Sequence, residues 1–215
     1  MSAPRIIIPA RAGSKGWPRK NVKLFDHTAR IIPKEYREFV TVTTDDESIS
    51  GLAGEYNFKV HDRPESLAQD STDIKSTIIS TMAATPHKST ELVIMLYLTY
   101  PSRTWDDVTE MYNMFVSNGA RSMLCRQPVK THPCLVMYDN KDGTGKQVIP
   151  HRHYQRQQYP ECFEISHYMC MFRPQELPRL NKNMYNSRTI YHNIDRVVDV
   201  DSEVDYKQYI NNRDN

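Results

Sequence analysis

The sequence predicts an α/β fold in which helices cover both faces of a mainly parallel β-sheet. Short, unbroken apolar runs alternate along the chain with segments of helical character, which is the pattern of strand–helix–strand units. The runs lack polar alternation, as expected of strands that are buried on both faces. The first run ends in a basic, glycine-containing loop. Because ligands of parallel sheets bind at the carboxyl ends of the strands, this loop is the first candidate for a site.

Four apolar runs are predicted strands, at residues 6–9, 39–43, 92–99 and 122–125. Three segments are predicted helices, at residues 47–56, 74–84 and 105–118. Thr104 is placed to cap the third helix, with two aspartates in its first turn, where negative charge is favourable. Ser71 or Thr72 is expected to cap the helix at 74–84, and Ser202 a helix running to about residue 209.

Nothing in the composition divides the 215 residues, so residues 1–215 are expected to form one domain. The segment at about 140–162 differs from the rest, because it is polar and rich in Gln, His, Tyr and Arg. We expect it to leave the sheet as a lid or a dimerisation arm.

Composition excludes several classes of protein. A net charge of +2 with 25% charged residues argues against a dedicated nucleic-acid binder. The apolar runs are too short to span a bilayer, and no secretory leader is visible at the start, so no membrane association is expected. The four cysteines show no CxxC spacing and are expected to be buried thiols. A cytoplasmic location is therefore predicted.

The loop after the first strand has the composition of a polyphosphate site. Gly13 and Gly16 lie within four residues in a chain with 7 glycines, and basic residues surround them, namely Arg11, Lys15, Arg19, Lys20 and Lys23. Glycine allows the backbone N–H groups to approach a phosphate, and Arg and Lys supply the countercharge. The spacing is neither the P-loop nor the dinucleotide fingerprint. The alternative is a solvated basic turn.

A second candidate lies near the other end of the chain, at Asp199 and Asp201. If residues 197–201 form a strand, these two carboxylates share a face. Such a pair suits Mg²⁺, which accepts one or two protein carboxylates together with phosphate oxygens. The alternative is that they decorate a strand end and a helix N-terminus.

Further polar residues admit two interpretations each. Asp45 and Asp46 follow a strand and act either at a helix N-terminus or directly in a site. Arg63 is placed to recognise a base edge or a phosphate. The histidines and cysteines of residues 151–170 fit no zinc spacing, and no nucleophile elbow is present.

Read in order, these segments resemble the cytidylyltransferases that activate acidic sugars, above all the CMP-N-acylneuraminate (CMP-sialic acid) synthetases. The resemblance is carried by residues 9–16 and 18–21, 42–49, 63–70, 98–104, 156–160 and 199–205. It implies a Rossmann-like three-layer sandwich of the nucleotide-diphospho-sugar transferase type, which is usually a homodimer. It also implies a Mg²⁺-dependent reaction of CTP with a keto-sugar acid.

The resemblance implies roles for particular residues. Arg11, Ser14 and Lys15 would hold the triphosphate, and Lys20 would lie beside the reacting phosphorus, so that Lys20 and Arg11 are the candidate catalytic residues. Asn21 and Arg63 would place the cytidine, and Asp199 and Asp201 would bind the metal. The rest of the nucleotide site would include Ala10, Gly13 and Asp70.

The sequence departs from the family pattern on the sugar side. Tyr97 replaces a glutamine and Glu164 replaces an arginine of the family motifs. Substitutes for the anion site are available at Lys130, Arg152 and His167. The acceptor therefore stays open between sialic acid, a related nonulosonic acid, Kdo and another acid such as a phosphonate. Two alternatives remain. The nucleotide is UTP or ATP in place of CTP, or the protein binds a nucleotide without turnover.

Overall fold

The computed structural model describes residues 4–13, 16–85, 92–153, 155–195 and 197–213. Within these ranges the strands are β1 (Arg5–Pro9), β2 (Val40–Thr44), β3 (Lys59–Asp62), β4 (Val93–Met95), β5 (Ser122–Pro128), β6 (Met137–Asp139), β7 (Gly145–Gln147), β8 (Phe163–Phe172) and β9 (Ile190–Asn193). The α-helices are α1 (Lys20–Ala29), α2 (Glu47–Glu55), α3 (Ile74–Ala84), α4 (Trp105–Ser117) and α5 (Glu203–Arg213).

Seven strands form the main sheet in the order β3-β2-β1-β4-β8-β5-β9. β1 pairs in parallel with β2 and β4, β2 pairs in parallel with β3, and β5 pairs in parallel with β9. β8 is antiparallel to both of its neighbours, β4 and β5, so it runs against the other strands of this sheet. The predicted α/β class with a mainly parallel sheet is confirmed.

Helices cover the sheet on both faces, and the alternation of side chains along β1 shows how. Ile6 and Ile8 pack into a core with α1, α2, α4 and α5, where Phe25 is fully buried. Ile7 points to the other face and packs with Ile78 of α3. Burial on both faces explains why β1 is apolar at nearly every position.

Local capping chemistry sets several helix boundaries. Thr104 caps α4 as predicted, and its hydroxyl and the Asp107 side chain form a reciprocal capping box. The Ser202 hydroxyl accepts the Asp205 N–H at 3.3 Å, which confirms the predicted cap before α5. The predicted cap of α3 is wrong: Asp73 accepts the Ser76 N–H at 2.9 Å, because it is the residue next to the first helical turn.

Three predicted strands have different bounds in the structure. β4 covers only 93–95 of the predicted 92–99, because the chain turns away to form the loop that carries Tyr97 and Tyr100. β5 extends to Pro128, and β2 ends at Thr44. The helix α1 and the strands β3, β6, β7, β8 and β9 were not predicted, although β8 carries a buried apolar run at residues 168–172.

The chain leaves the main sheet between β5 and β8. Residues 129–162 contain the two-stranded hairpin of β6 and β7, in which Asp139 pairs with Gly145. The polar segment predicted at 140–162 is therefore the second half of a longer excursion. It begins at the carboxyl edge of the sheet, where β5 ends.

Candidate active site

The carboxyl ends of β1, β2, β3 and β4 meet at one edge of the sheet, and a cavity of about 470 Å³ lies there. It is lined by residues from four separate parts of the sequence. Six of the residues predicted for the site contribute to its wall: Arg11, Lys20, Asn21, Arg63, Asp70 and Asp201. The fold therefore gathers both ends of the chain around a single space.

Hydrogen bonds hold the loop after β1 to its surroundings. The Asn21 side-chain amide donates to the Arg11 carbonyl at 2.8 Å, and Asp45 accepts the Ala12 N–H at 2.8 Å. Arg19, before α1, adopts a left-handed conformation with φ 57°.

Asp46 caps α2 by accepting the Ser48 N–H at 2.8 Å. Of the two neighbouring aspartates, one therefore caps a helix and the other orders the basic loop.

Two cations of the cavity wall lie in ion pairs. Arg11 lies 2.5 Å from Asp70, and Lys20 Nζ lies 2.6 Å from Asp201 Oδ1. The carboxylates are the more exposed partners, with 43% of the Asp70 side chain and 72% of the Asp201 side chain accessible. A phosphate entering the cavity would meet two cations that are already positioned, and it would compete with solvated carboxylates for them.

Arg63 is the most buried cation of the cavity wall. Its Nη2 donates to the Thr43 carbonyl at 3.1 Å, and its Nε is buried without a hydrogen-bond partner among the described residues. Burial lowers the pKa of Arg63 to about 10, an effect that Asp45 opposes and Arg11 reinforces. A buried guanidinium with an unused donor is poised to bond a polar ligand.

The acidic residues near the chain end are not placed by a strand. Residues 197–200 have no regular secondary structure, so the predicted strand at 197–201 is wrong. The segment is instead anchored through the loop after β4, where the Val200 N–H donates to the Thr99 carbonyl at 2.8 Å. Asp201 then meets Lys20, and Asp199 accepts the Tyr100 hydroxyl at 2.8 Å.

The two carboxylates differ in their surroundings. Asp201 lines the cavity, whereas Asp199 does not. Although Asp199 keeps part of its surface exposed, burial raises the pKa of its carboxylate, and hydrogen bonds from Thr99 and Tyr100 oppose that shift.

The donor set can be tested against the metal that the motifs imply. Among the described residues no group of three or more His, Cys, Asp or Glu side chains could hold a metal ion. Two neighbouring carboxylates remain, Asp199 and Asp201. Two hard oxygen ligands fit Mg²⁺, which completes its shell with water and substrate phosphate.

The other predicted nucleotide ligands lie outside the cavity wall or outside the described residues. Ala10 is fully buried, and its N–H donates to the Thr43 carbonyl at 3.0 Å. Gly13 is exposed in the basic loop. Ser14 and Lys15 lie outside the described residues.

The residues that depart from the family pattern occupy distinct places. Tyr97 lines the cavity, and its ring meets His167 edge-on with centroids 5.6 Å apart. Glu164 does not line the cavity, and it accepts the Gln127 amide at 2.7 Å. Of the three candidate substitutes for the anion site, His167 is therefore the one in contact with a residue of the cavity wall.

The remaining substitutes lie on the excursion. Lys130 lines a second cavity of about 570 Å³, together with His132 and Arg156. Arg152 is exposed. Neither residue lines the first cavity within a single copy of the described chain.

The sheet has a cation-lined cavity at its carboxyl edge, which suits a polyanionic ligand. The sequence profile of the family described as cytidylyltransferase matches residues 5–212, and the chain belongs to that family. The resemblance found in the motifs is thereby confirmed.

Relatives and a solved structure agree with this assignment. The chain is 28% identical to N-acylneuraminate cytidylyltransferase A of Danio rerio over 124 residues, which is 54% of this chain and 28% of that protein. It is 24% identical to the CMP-N,N'-diacetyllegionaminic acid synthase of Legionella pneumophila, over 93% of this chain and 91% of the relative. CMP:2-keto-3-deoxy-manno-octonic acid synthetase complexed with CTP is similar in structure, with a TM-score of 0.68, 12% identity and 99% of each chain covered.

The motifs did not reveal every polar group near the site. Tyr100 contacts Asp199, and Thr72 and Gln69 line the cavity. The sequence pointed to Tyr100 only through its position in the block at 98–104. A tyrosine at that position does not indicate that Asp199 accepts its hydrogen bond. Among the described residues, no helix combines the length and apolar character needed to cross a membrane.

Proposed function

We propose that the protein transfers CMP from CTP to the anomeric hydroxyl of a nonulosonic acid, such as sialic acid or a close relative, and releases pyrophosphate. The observation that carries this proposal is the convergence of Arg11, Lys20, Arg63 and Asp201 on one cavity at the carboxyl edge of the sheet. The family assignment supports CTP as the nucleotide.

The chain's own residues supply positioning and charge. Arg11 and Lys20 exchange their carboxylate partners for phosphate oxygens when the triphosphate binds, and Ser14 and Lys15 are assigned to the triphosphate by resemblance alone. Asn21 and Arg63 place the cytidine. A bond then forms between the anomeric oxygen and the α-phosphorus, the bond from that phosphorus to pyrophosphate breaks, and the hydroxyl proton passes to water. Lys20 and Arg11 stabilise the negative charge that develops on the phosphate oxygens.

Asp199 and Asp201 would hold Mg²⁺ between the protein and the triphosphate. When bound, Mg²⁺ neutralises phosphate charge and lowers the pKa of a nearby hydroxyl. The roles proposed for these residues depend on where each lies around the cavity. No residue among them needs to act as a base.

The acceptor is assigned to the part of the cavity beside Tyr97. A nonulosonic acid is favoured because a relative matching 93% of this chain is named for CMP-N,N'-diacetyllegionaminic acid synthesis. The Glu164 carboxylate lies outside the cavity wall and accepts a hydrogen bond from the Gln127 amide. It therefore does not oppose an acidic acceptor in the cavity. His167 lies outside the cavity wall, but its ring contacts Tyr97, and we assign it to the acceptor carboxylate.

The test is pyrophosphate release from each of the four nucleoside triphosphates with a panel of acceptors. The panel contains N-acetylneuraminate, a diacetylated legionaminate, Kdo and a phosphonate, each with Mg²⁺ and with EDTA. Turnover is expected with CTP and a nonulosonic acid, and only with Mg²⁺. Tight CTP binding without turnover on any acceptor would refute the enzymatic function, and preference for Kdo would reassign the acceptor.

Asp201→Ala is expected to abolish turnover while the protein stays folded, because the Asp201 side chain is exposed and lies outside the apolar core. The matched control is Asp106→Ala, which removes another exposed aspartate, in the first turn of α4. Turnover retained by Asp201→Ala would remove this residue from the metal site.

We also propose that the excursion pairs two copies of the chain. Its hairpin exposes apolar side chains in sequence, with Met137 66% and Tyr138 62% accessible. Met137→Asp should convert a dimer to a monomer in sedimentation analysis. Ile79→Asp alters a similarly exposed apolar residue on α3 and should leave the assembly unchanged. A monomeric unsubstituted chain would refute the pairing.

A further inference from the structure

The position of Asp199 depends on the loop after β4. The carboxylate does not lie on a strand, so the backbone alone does not fix its direction. The loop holds the segment around it at three points: the Thr99 carbonyl accepts the Val200 N–H, the Tyr100 hydroxyl donates to Asp199, and the Pro101 carbonyl accepts the Tyr209 hydroxyl at 3.2 Å. Of these contacts, that of Tyr100 reaches the carboxylate itself.

Tyr100 is rigidly held. Its side chain is 5% exposed, and its ring meets the Tyr168 ring edge-on with centroids 5.6 Å apart. The guanidinium of Arg103 lies over both rings, at 5.9 Å from that of Tyr100 and 5.2 Å from that of Tyr168. Arg103 is 2% exposed and donates to the main-chain carbonyls of Tyr97 and Tyr168. A buried phenol packed in this way has little rotamer freedom, so its hydroxyl marks a fixed point in space.

From this geometry we infer that Tyr100 is a positioning residue that fixes Asp199 for a divalent cation. The inference rests on the proposed function, because it takes Asp199 as a metal ligand. The carboxylate of Asp199 accepts hydrogen bonds from the side chains of Thr99 and Tyr100, and a carboxylate with fixed donors presents its remaining lone pairs in a defined direction. Partners of this kind typically contribute about 10–100-fold to metal affinity. The other groups that face Asp199 are the Thr99 side chain, Lys20 and Asp201.

The test is Mn²⁺ binding to the CTP complex, followed by electron paramagnetic resonance of the unbound ion. Tyr100→Phe removes the hydroxyl and keeps the ring in its packing. We expect Mn²⁺ to bind this variant at least about tenfold more weakly, with a fall in melting temperature no larger than that of the control variant described next. The concentration of Mg²⁺ that gives half-maximal turnover should rise in the same proportion.

Tyr168→Phe is the matched control. The Tyr168 side chain is 4% exposed, belongs to the same aromatic cluster and also donates to a carboxylate, that of Asp107 at 2.7 Å. Asp107 belongs to the capping box of α4 and does not line the cavity. Tyr168→Phe should lower the melting temperature without changing Mn²⁺ affinity.

The outcomes separate the two hypotheses. Equal Mn²⁺ affinity in Tyr100→Phe and the unsubstituted protein would overturn the positioning role while leaving the metal site intact. Equal weakening in Tyr100→Phe and Tyr168→Phe would also overturn it, since the effect would then be one of general packing. If the unsubstituted CTP complex binds no Mn²⁺, the metal site of the proposed function fails, and the role of Tyr100 fails with it.

Discussion

Gly16 joins the two halves of the site, and replacing it tests how closely they must pack. A Cβ atom at this position would lie 3.0 Å from the main-chain carbonyl oxygen of Asp201, whereas ordinary contacts begin at 3.4 Å. This contact is a few tenths of an ångström too short, and the backbone at Gly16 and at Asp201 would have to move to relieve it. Gly16 does not have a positive φ, so space rather than conformation requires glycine here.

Gly16→Ala should therefore displace Asp201 from Lys20 and from the metal site. A misplacement of about 1 Å can cost on the order of 100-fold in rate, so a shift of a few tenths should lower kcat by roughly 3–10-fold. The half-saturating Mg²⁺ concentration should rise. The free energy of unfolding should fall by up to about 2.5 kcal/mol, because a crowding cost of about 1–3 kcal/mol is offset in part by the smaller entropy of the unfolded chain, about 0.4–1 kcal/mol.

The assay is pyrophosphate release with titrated Mg²⁺, together with thermal unfolding. Gly51→Ala in α2 is the control, since a Cβ there would meet nothing within 4 Å among the described residues and the position lies outside the proposed site. If Gly16→Ala retains full kcat and the same Mg²⁺ requirement, the close approach of the loop to Asp201 has no functional consequence, and the reasoning is refuted.

Three further predictions follow from single contacts. Lys20→Met should lower turnover by about 100-fold or more. Its free energy of unfolding should change by less than about 1 kcal/mol, because the ion pair that Lys20 forms with Asp201 is exposed. Lys23→Met, outside the cavity wall, is the control, and similar activity in both variants would contradict the role of Lys20. Arg103→Lys should cost about 1–3 kcal/mol in unfolding free energy, measured by denaturant titration, because two buried carbonyls lose donors; an unchanged midpoint would contradict this. Thiol labelling of the folded protein should modify the partly exposed Cys162 and spare Cys125, because burial raises the pKa of Cys125 to about 12. Early labelling of Cys125 would contradict this burial.

Much of the site was predictable because its residue types carry their chemistry in short motifs. The basic loop after β1 predicts a polyphosphate site through its residue types and its place after a strand. The metal site at Asp199 and Asp201 stays a prediction, and residues 197–200 do not form the strand from which it was argued. The capping residue Thr104 was also predictable, since a cap depends on neighbours within one turn. The strands β3, β8 and β9 were not, because pairing partners distant in sequence stabilise them.

The sequence by itself determined the α/β class, the cation-rich loop and the carboxylates at the far end of the chain. It did so because apolar periodicity and residue chemistry are local properties. Only the tertiary structure decided how those ends meet: Asp201 against Lys20, and Asp199 on the hydroxyl of Tyr100. The strand predicted for 197–201 would have aligned the carboxylates through its own geometry. In the structure a loop from the middle of the chain aligns them, and contacts between residues about a hundred positions apart leave no local pattern to read.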